Sequence, residues 1–209
     1  MLVADASHHA AGSCSVHPGR GVSNTWTFIP PILTSVVSRK THGSAGTFDV
    51  DLPLAGPRGI ECRSGGANGD YTLVFSFANA LTNVTSVSAS ATSPSGPQPV
   101  SSSGSIGTDP HQYIVNLTGV PDAQYITVNL ANVTDSAGNS SSAVSASMGV
   151  LIGDVNASGV VTSGDTNLCK AQALQPVTNA NFRNDINASG AITTGDANII
   201  KQNALSHLP

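Results

Sequence analysis

Between residues 34 and 152, apolar side chains recur at every second position in short runs broken by polar turns. Tyr71, Leu73, Phe75 and Phe77 alternate with Thr72, Val74 and Ser76. Tyr113, Val115 and Leu117 form a second alternating face. Ile126, Val128 and Leu130 form a third, and Val144, Ala146, Met148 and Val150 a fourth. A period of two places one set of side chains on one face of a strand. Residues 35–39, 47–52, 59–63 and 84–91 are fainter strand candidates. Turn signals at 43–46, 65–70, 93–99, 104–110 and 135–139 divide the runs. About eight short strands in ~120 residues predict a mainly β fold, an antiparallel sandwich of two sheets.

After residue 152 the period changes. Residues 166–175 and 197–206 have helical spacing, and Pro176 is positioned to end the first helix. The two segments repeat one another. Leu168 aligns with Ile199, Cys169 with Ile200, Ala173 with Ala204, Leu174 with Leu205, and Lys170 with Lys201. Comparing 154–174 with 185–205, 12 of 21 positions are identical. No helix is expected ahead of either repeat: 145–152 reads as a strand, and 177–184 is too short and broken.

Each repeat opens with a twelve-residue loop, DVNASGVVTSGD at 154–165 and DINASGAITTGD at 185–196. Oxygen-bearing side chains fall at loop positions 1, 3, 5, 9 and 12, with glycine at 6. That is the ligand spacing of an EF-hand-type calcium loop. The expected ligands of the first loop are Asp154, Asn156, Ser158, the Val160 carbonyl, Thr162 directly or through water, and Asp165. Those of the second are Asp185, Asn187, Ser189, the Ala191 carbonyl, Thr193 and Asp196. Gly159 and Gly190 stand where the chain must turn without a Cβ. Val161 and Ile192 are apolar and expected to pair across the loops. Residues 151–209 contain four acidic side chains, and all four occupy position 1 or 12. Asn/Asp-rich turns without metal would not place them so. Serine at position 5 leaves two carboxylates per loop, which points to weak structural calcium, about 10⁻⁴–10⁻³ M as in extracellular modules.

A calcium loop followed by a helix, twice, with Asp at position 12, resembles a dockerin or dockerin-like domain over about residues 153–207. The resemblance implies two antiparallel loop–helix units with one calcium each, and docking to a cohesin-like partner. In that family, positions 10 and 11 contact cohesin. Here they are Ser163-Gly164 and Thr194-Gly195, and the glycines remove a side chain that would specify the partner. Asp135-Ser-Ala-Gly-Asn139, following 128–133, resembles the closing end of bacterial Ig-like surface domains. The expected organisation is therefore an N-terminal extension or the end of a preceding domain at 1–33, an Ig-like antiparallel β-sandwich at 34–152, and a small α-helical dockerin-like domain with two calcium loops at 153–209.

Composition narrows the function. Only 10% of residues are charged and 4% aromatic, as in β-rich bacterial surface proteins, which points to an extracellular or cell-surface location. A net charge of −4 with eight basic residues argues against nucleic-acid binding, and no apolar run is long enough for a membrane span. Residues 1–21 lack the apolar core of a signal peptide. His8, His9, Cys14 and His17 there read as a flexible tail. Residues 24–31, ending in Pro-Pro, read as a strand and a stiff hinge, either closing a preceding domain or docking on a neighbour's sheet edge.

Of three cysteines, Cys169 is expected buried in the first helix, and Cys14–Cys62 is a candidate disulfide. His42, His111 and His207 read as surface groups. Asp49 and Asp51 share one strand face, but no aromatic sugar-binding surface accompanies them. Glycosylation sequons at Asn83, Asn116, Asn132, Asn139, Asn156 and Asn187 are expected by chance in so Asn/Ser/Thr-rich a chain. The expectation is a non-enzymatic structural or anchoring module that binds two calcium ions and a protein partner. Alternatives are a subunit that self-associates into a filament and the C-terminal appendage of a secreted hydrolase.

Overall fold

The computed structural model describes residues 29–93 and 96–209. The tail at 1–21, Cys14 and most of the 24–31 strand lie outside them. Among the described residues ten strands precede two helices: β1 (Leu33–His42), β2 (Gly46–Asp51), β3 (Gly59–Glu61), β4 (Tyr71–Phe77), β5 (Leu81–Asn83), β6 (Ser86–Ala91), β7 (Gln98–Ile106), β8 (Gln112–Thr118), β9 (Gln124–Asp135), β10 (Ser140–Val150), α1 (Ser163–Ala171) and α2 (Thr194–Gln202).

The strands join in the order β2-β1-β4-β8-β7-β6-β9-β10-β3, with β5 paired to β9. The sheet curls until its end strands meet. A side chain at Gly59 on β3 would collide with the Asp51 carbonyl at the end of β2, so the fold is nearly a closed barrel. Pairing is antiparallel except at one edge, where β3 runs parallel to β10 (Met148 opposite Gly59, Val150 opposite Glu61). That corrects the all-antiparallel expectation: the 52–58 loop carries the chain from one end strand to the other.

β7 was expected as turns on either side of residue 100. It is a corner strand instead. Residues 98–100 pair with β6 and 101–106 with β8. Only Val100 of its nine residues is buried, so it carries no apolar alternation to read. Its Gly104 lies under the Tyr113 ring, where a Cβ would clash.

The inward faces of β4, β8 and β9 build the main core, including Leu73, Phe75, Val115, Leu117, Ile126 and Val128. Each such side chain contributes roughly 1.5–3 kcal/mol on burial. On β9 the buried phase switches from Leu130 to Val133. Asn132, at φ 49°, is the backbone point where that switch occurs, with the pairing to β10 in one register on either side of it.

A second core lies against the first. It combines Phe48 and Ile60 from the β body with Leu151, Val161, Cys169, Ile186, Ile192 and Ile200 from the C-terminal region. Phe182 packs against both cores and stacks on Phe48 at 5.4 Å between centroids.

Both helices start three residues earlier and stop four residues earlier than their spacing suggested. They start early because Thr162 and Thr193 are N-caps, so positions 10 to 12 of each loop form the first turn. Pro176 does not end α1. α2 stops at the equivalent place with no proline. In both repeats the chain turns through a leucine of positive φ, Leu174 at 66° and Leu205 at 72°.

Candidate metal centres

In each loop, side chains and carbonyls bring oxygens together while backbone N–H groups fix the carboxylates. Asp154 Oδ1 accepts from Ser158 N at 2.9 Å, and its Oδ2 accepts from Gly159 N at 2.8 Å. Ser158 N also donates to Asn156 Oδ1 at 2.9 Å. The Ser158 hydroxyl lies 3.4 Å from Asp154 Oδ1 and 3.0 Å from the Val160 carbonyl oxygen. The second loop repeats these contacts. Ser189 Oγ is 3.4 Å from Asp185 Oδ1 and 3.2 Å from the Ala191 oxygen, and Gly190 N donates to Asp185 Oδ2 at 2.8 Å. Neighbouring ligands around one calcium, each roughly 2.4 Å from it, stand about 2.8–3.4 Å apart. The oxygen spacings in both loops match that shell.

Position 12 has two tasks. Asp165 Oδ2 accepts from Thr162 N at 2.9 Å and from the Thr162 hydroxyl at 3.0 Å, while that hydroxyl accepts from Gly164 N. Thr193 and Asp196 make the same capping box. Position 9 therefore holds the closing aspartate and starts the helix. The backbone needed is unusual at two points per loop. Ala157 and Ala188 have φ 58° and 55°, and Gly159 and Gly190 have φ 86° and 92°.

All four aspartates are fully buried. Burial pushes the Asp154 carboxyl above the usual range, and the N–H groups of Gly159 and Ser158 only partly offset that. Burial also opposes ionisation of Asp185. There the hydrogen bond from His42, with those of Gly190 and Ser189, holds the carboxyl below the usual range.

The apolar residues at position 8 do not pair backbone to backbone. Val161 O accepts from Leu205 N and Ile192 O from Leu174 N, both at about 2.9–3.0 Å, so each loop is tied to the end of the other repeat's helix. Their side chains are buried in the shared core.

Among the described residues no cluster of three His, Cys, Asp or Glu side chains forms. Two carboxylates per loop, completed by amide, hydroxyl and carbonyl oxygens, form an all-oxygen donor set suited to a hard cation and unsuited to zinc.

Several residues at the junction with the β body carried no functional reading. His42 was expected on the surface; it is fully buried beneath the second loop and bonds Asp185 Oδ2 at 2.8 Å. Arg183 ties the first loop to β3, donating to the carbonyls of Asp154, Val155 and Ile60 at 2.8–3.0 Å. Cys62 is a free thiol, buried at this junction and pushed up to about 12 chiefly by burial; its proposed partner Cys14 lies outside the described residues. Cys169 is buried as expected, and its thiol is pushed up to about 11 by burial. His111 and His207 are exposed. The spacing Glu61-x-Arg63 was the available signal, since it puts the chain's single Glu and an Arg on one strand face.

Two loop–helix units, each wrapping an oxygen-lined loop and each tied to the other by a reciprocal backbone bond, form a tandem loop–helix module. The dockerin type I domain family matches residues 152–205, so the C-terminal quarter of the chain is a dockerin-type region preceded by a β-rich body. Dockerin type I domains typically bind calcium and mediate protein–protein docking, usually with cohesin. No curated protein and no solved structure matches the chain. Among the described residues no helix is long and apolar enough to cross a membrane.

Proposed function

We propose that this chain is a non-catalytic extracellular anchoring module whose C-terminal region binds two structural calcium ions and docks a protein partner. The carrying observation is that both loops hold Asp, Ser and carbonyl oxygens at the spacing of one calcium shell. Asp154, Asn156, Ser158, Val160 O and Asp165 would hold the first ion, and Asp185, Asn187, Ser189, Ala191 O and Asp196 the second. Thr162 and Thr193 support them by fixing the closing aspartates. Calcium supplies the positive charge that lets four buried carboxylates stay ionised.

The docking half of the reading rests on exposed leucines. Leu174 is 89% and Leu205 81% exposed, at equivalent places in the two repeats. Left-handed backbone costs a side-chain-bearing residue about 1–2 kcal/mol, and these leucines recover nothing by burial. A paired apolar surface for a protein partner, cohesin-like in chemistry, accounts for them. The β body, read as an Ig-like sandwich, serves as spacer. One of its two β2 carboxylates, Asp49, is gripped by Arg39 through two hydrogen bonds at 2.7 and 2.9 Å.

The test is calorimetric calcium titration of the full chain together with circular dichroism after EGTA. Uptake of two ions and loss of helix on chelation are expected. No uptake and unchanged helix would sink the reading.

A further inference from the structure

The two loops share a sequence pattern but meet different surroundings. At Gly159 an added Cβ would meet nothing within 4 Å. At Gly190 it would press on the His42 carbonyl at 2.8 Å, and at Gly43 a Cβ would collide with the Ser189 carbonyl. The β1–β2 turn is thus pressed onto the second loop, while the corresponding face of the first loop is open. Arg183 and β3 hold the first loop through backbone carbonyls; no β-body side chain touches its carboxylates in any hydrogen bond among the described residues.

The second loop receives a buried chain of hydrogen bonds from the β body. Glu61 Oε1 and Oε2 accept from Arg63 Nε at 2.8 Å and Nη2 at 2.7 Å. Arg63 Nη1 lies 3.1 Å from His42 Nε2 and 2.9 Å from the Phe48 carbonyl. A guanidinium only donates, so Nε2 accepts and Nδ1–H donates to Asp185 Oδ2. The His42 ring is held edge-on between Phe48 and Phe182, at 5.2 and 6.1 Å. Glu61, Arg63, His42 and Asp185 are all fully buried. A donor fixed on the far oxygen of a ligating carboxylate orients its near oxygen, and losing such a partner typically costs 10–100-fold in metal affinity.

We infer that His42 is a positioning residue for the second calcium site, so the β body completes that site and leaves the first to its own loop. The inference rests on the calcium reading above. It makes the two sites inequivalent despite their matching sequences: a β-body side chain orients a carboxylate of the 185–196 loop, and none orients a carboxylate of the 154–165 loop.

The test is a calcium titration of the full chain followed by NMR, using the Gly159 and Gly190 amides as separate reporters of the two loops. His42→Phe keeps a ring between Phe48 and Phe182 and removes the donor. It is expected to weaken binding at Gly190 about 10–100-fold and leave Gly159 unchanged. His42→Asn places an amide donor near the Nδ1 position and is expected to restore much of the loss. If His42→Phe is unstable, His42→Leu is the donorless variant to compare, and a second-site affinity equal to wild type in a folded His42→Leu chain overturns the inference. Equal weakening at both amides, or a drop in thermal stability with unchanged calcium affinity, also overturns it. A wild-type chain that takes up no calcium defeats the calcium reading itself; two-ion uptake insensitive to His42 defeats only this inference.

Discussion

Leu174 and Leu205 pose the plainest energetic question at the level of single residues. Each sits at positive φ with its side chain in solvent. Glycine would relieve about 1–2 kcal/mol of backbone strain and give back about 0.4–1 kcal/mol through the freer unfolded chain. Leu174→Gly with Leu205→Gly is therefore expected to leave the melting temperature level or slightly raised. Affinity for a cohesin-like partner is expected to fall at least tenfold in surface plasmon resonance; unchanged affinity would remove the docking surface from the proposal. Glu61 is the opposite case, a carboxylate whose value is internal. Burial opposes its charge, but Arg63 and Ser38 outweigh burial and hold its carboxyl below the usual range. Its stabilisation is thus present above the unfolded value of about 4.3 and lost as pH falls through the lower folded value. Glu61→Gln leaves Arg63 buried without its anion and is expected to cost about 3–5 kcal/mol at neutral pH. The same change should flatten the acid limb of stability against pH below about 4.5, measured by urea unfolding across pH.

Among the elements, the loop–helix junction shows how one residue serves two structures. Asp165 closes the first loop and is the N3 partner of the Thr162 cap. Asp165→Asn keeps an oxygen for the cap and loses the charge, so calcium affinity at that loop should drop while helix content in excess calcium is retained. Asp165→Ala removes both, and losing a capping interaction costs about 0.5–2 kcal/mol, so its helix signal should stay low even in excess calcium. Equal behaviour of the two variants would separate the cap from the metal. This junction also shows why helix bounds were legible only approximately. Positions 9 and 12 read as ligands, and ligand spacing conceals that the same threonine and aspartate form a capping box. Strands with inward apolar alternation, such as β4 and β8, were legible to within a residue or so at each end. β7 was not, because a corner strand with one buried side chain has no period to detect. The two loop–helix repeats were legible because the same Asp, Asn, Ser, Thr and Gly residues recur at fixed spacing. His42 was not, because its role arises from a contact 143 residues along the chain.

Across the whole molecule, the sequence divides where the structure does not. Residues near 152 mark a change of period, yet Phe48 and Ile60 share a core with Ile186, Ile192 and Ile200. Backbone bonds cross the same boundary. Ser64 N donates to the Ile186 carbonyl at 2.7 Å, and Gly153 N to the Cys62 carbonyl at 2.9 Å. Two regions that share buried apolar surface and a buried ionic network cannot unfold separately without exposing both, so the β body and the loop–helix region should melt together. Ligand binding to the native state alone stabilises by about 2.7 kcal/mol per site at a hundredfold excess over Kd. For a chain of this length each kcal/mol is worth roughly 2–4 °C, so two ions should raise the melting temperature by roughly 10–20 °C. The rise must appear in the strands as well as the helices, because the calcium loops are joined to the strands through His42, Arg183 and the shared core. Hydrogen exchange would check it, comparing peptides from β9 and α2 with and without EGTA. Coincident protection changes are expected in both. Strand protection that ignores EGTA while the helices open would mean that calcium holds only its own region, and that the buried junction transmits nothing to the β body.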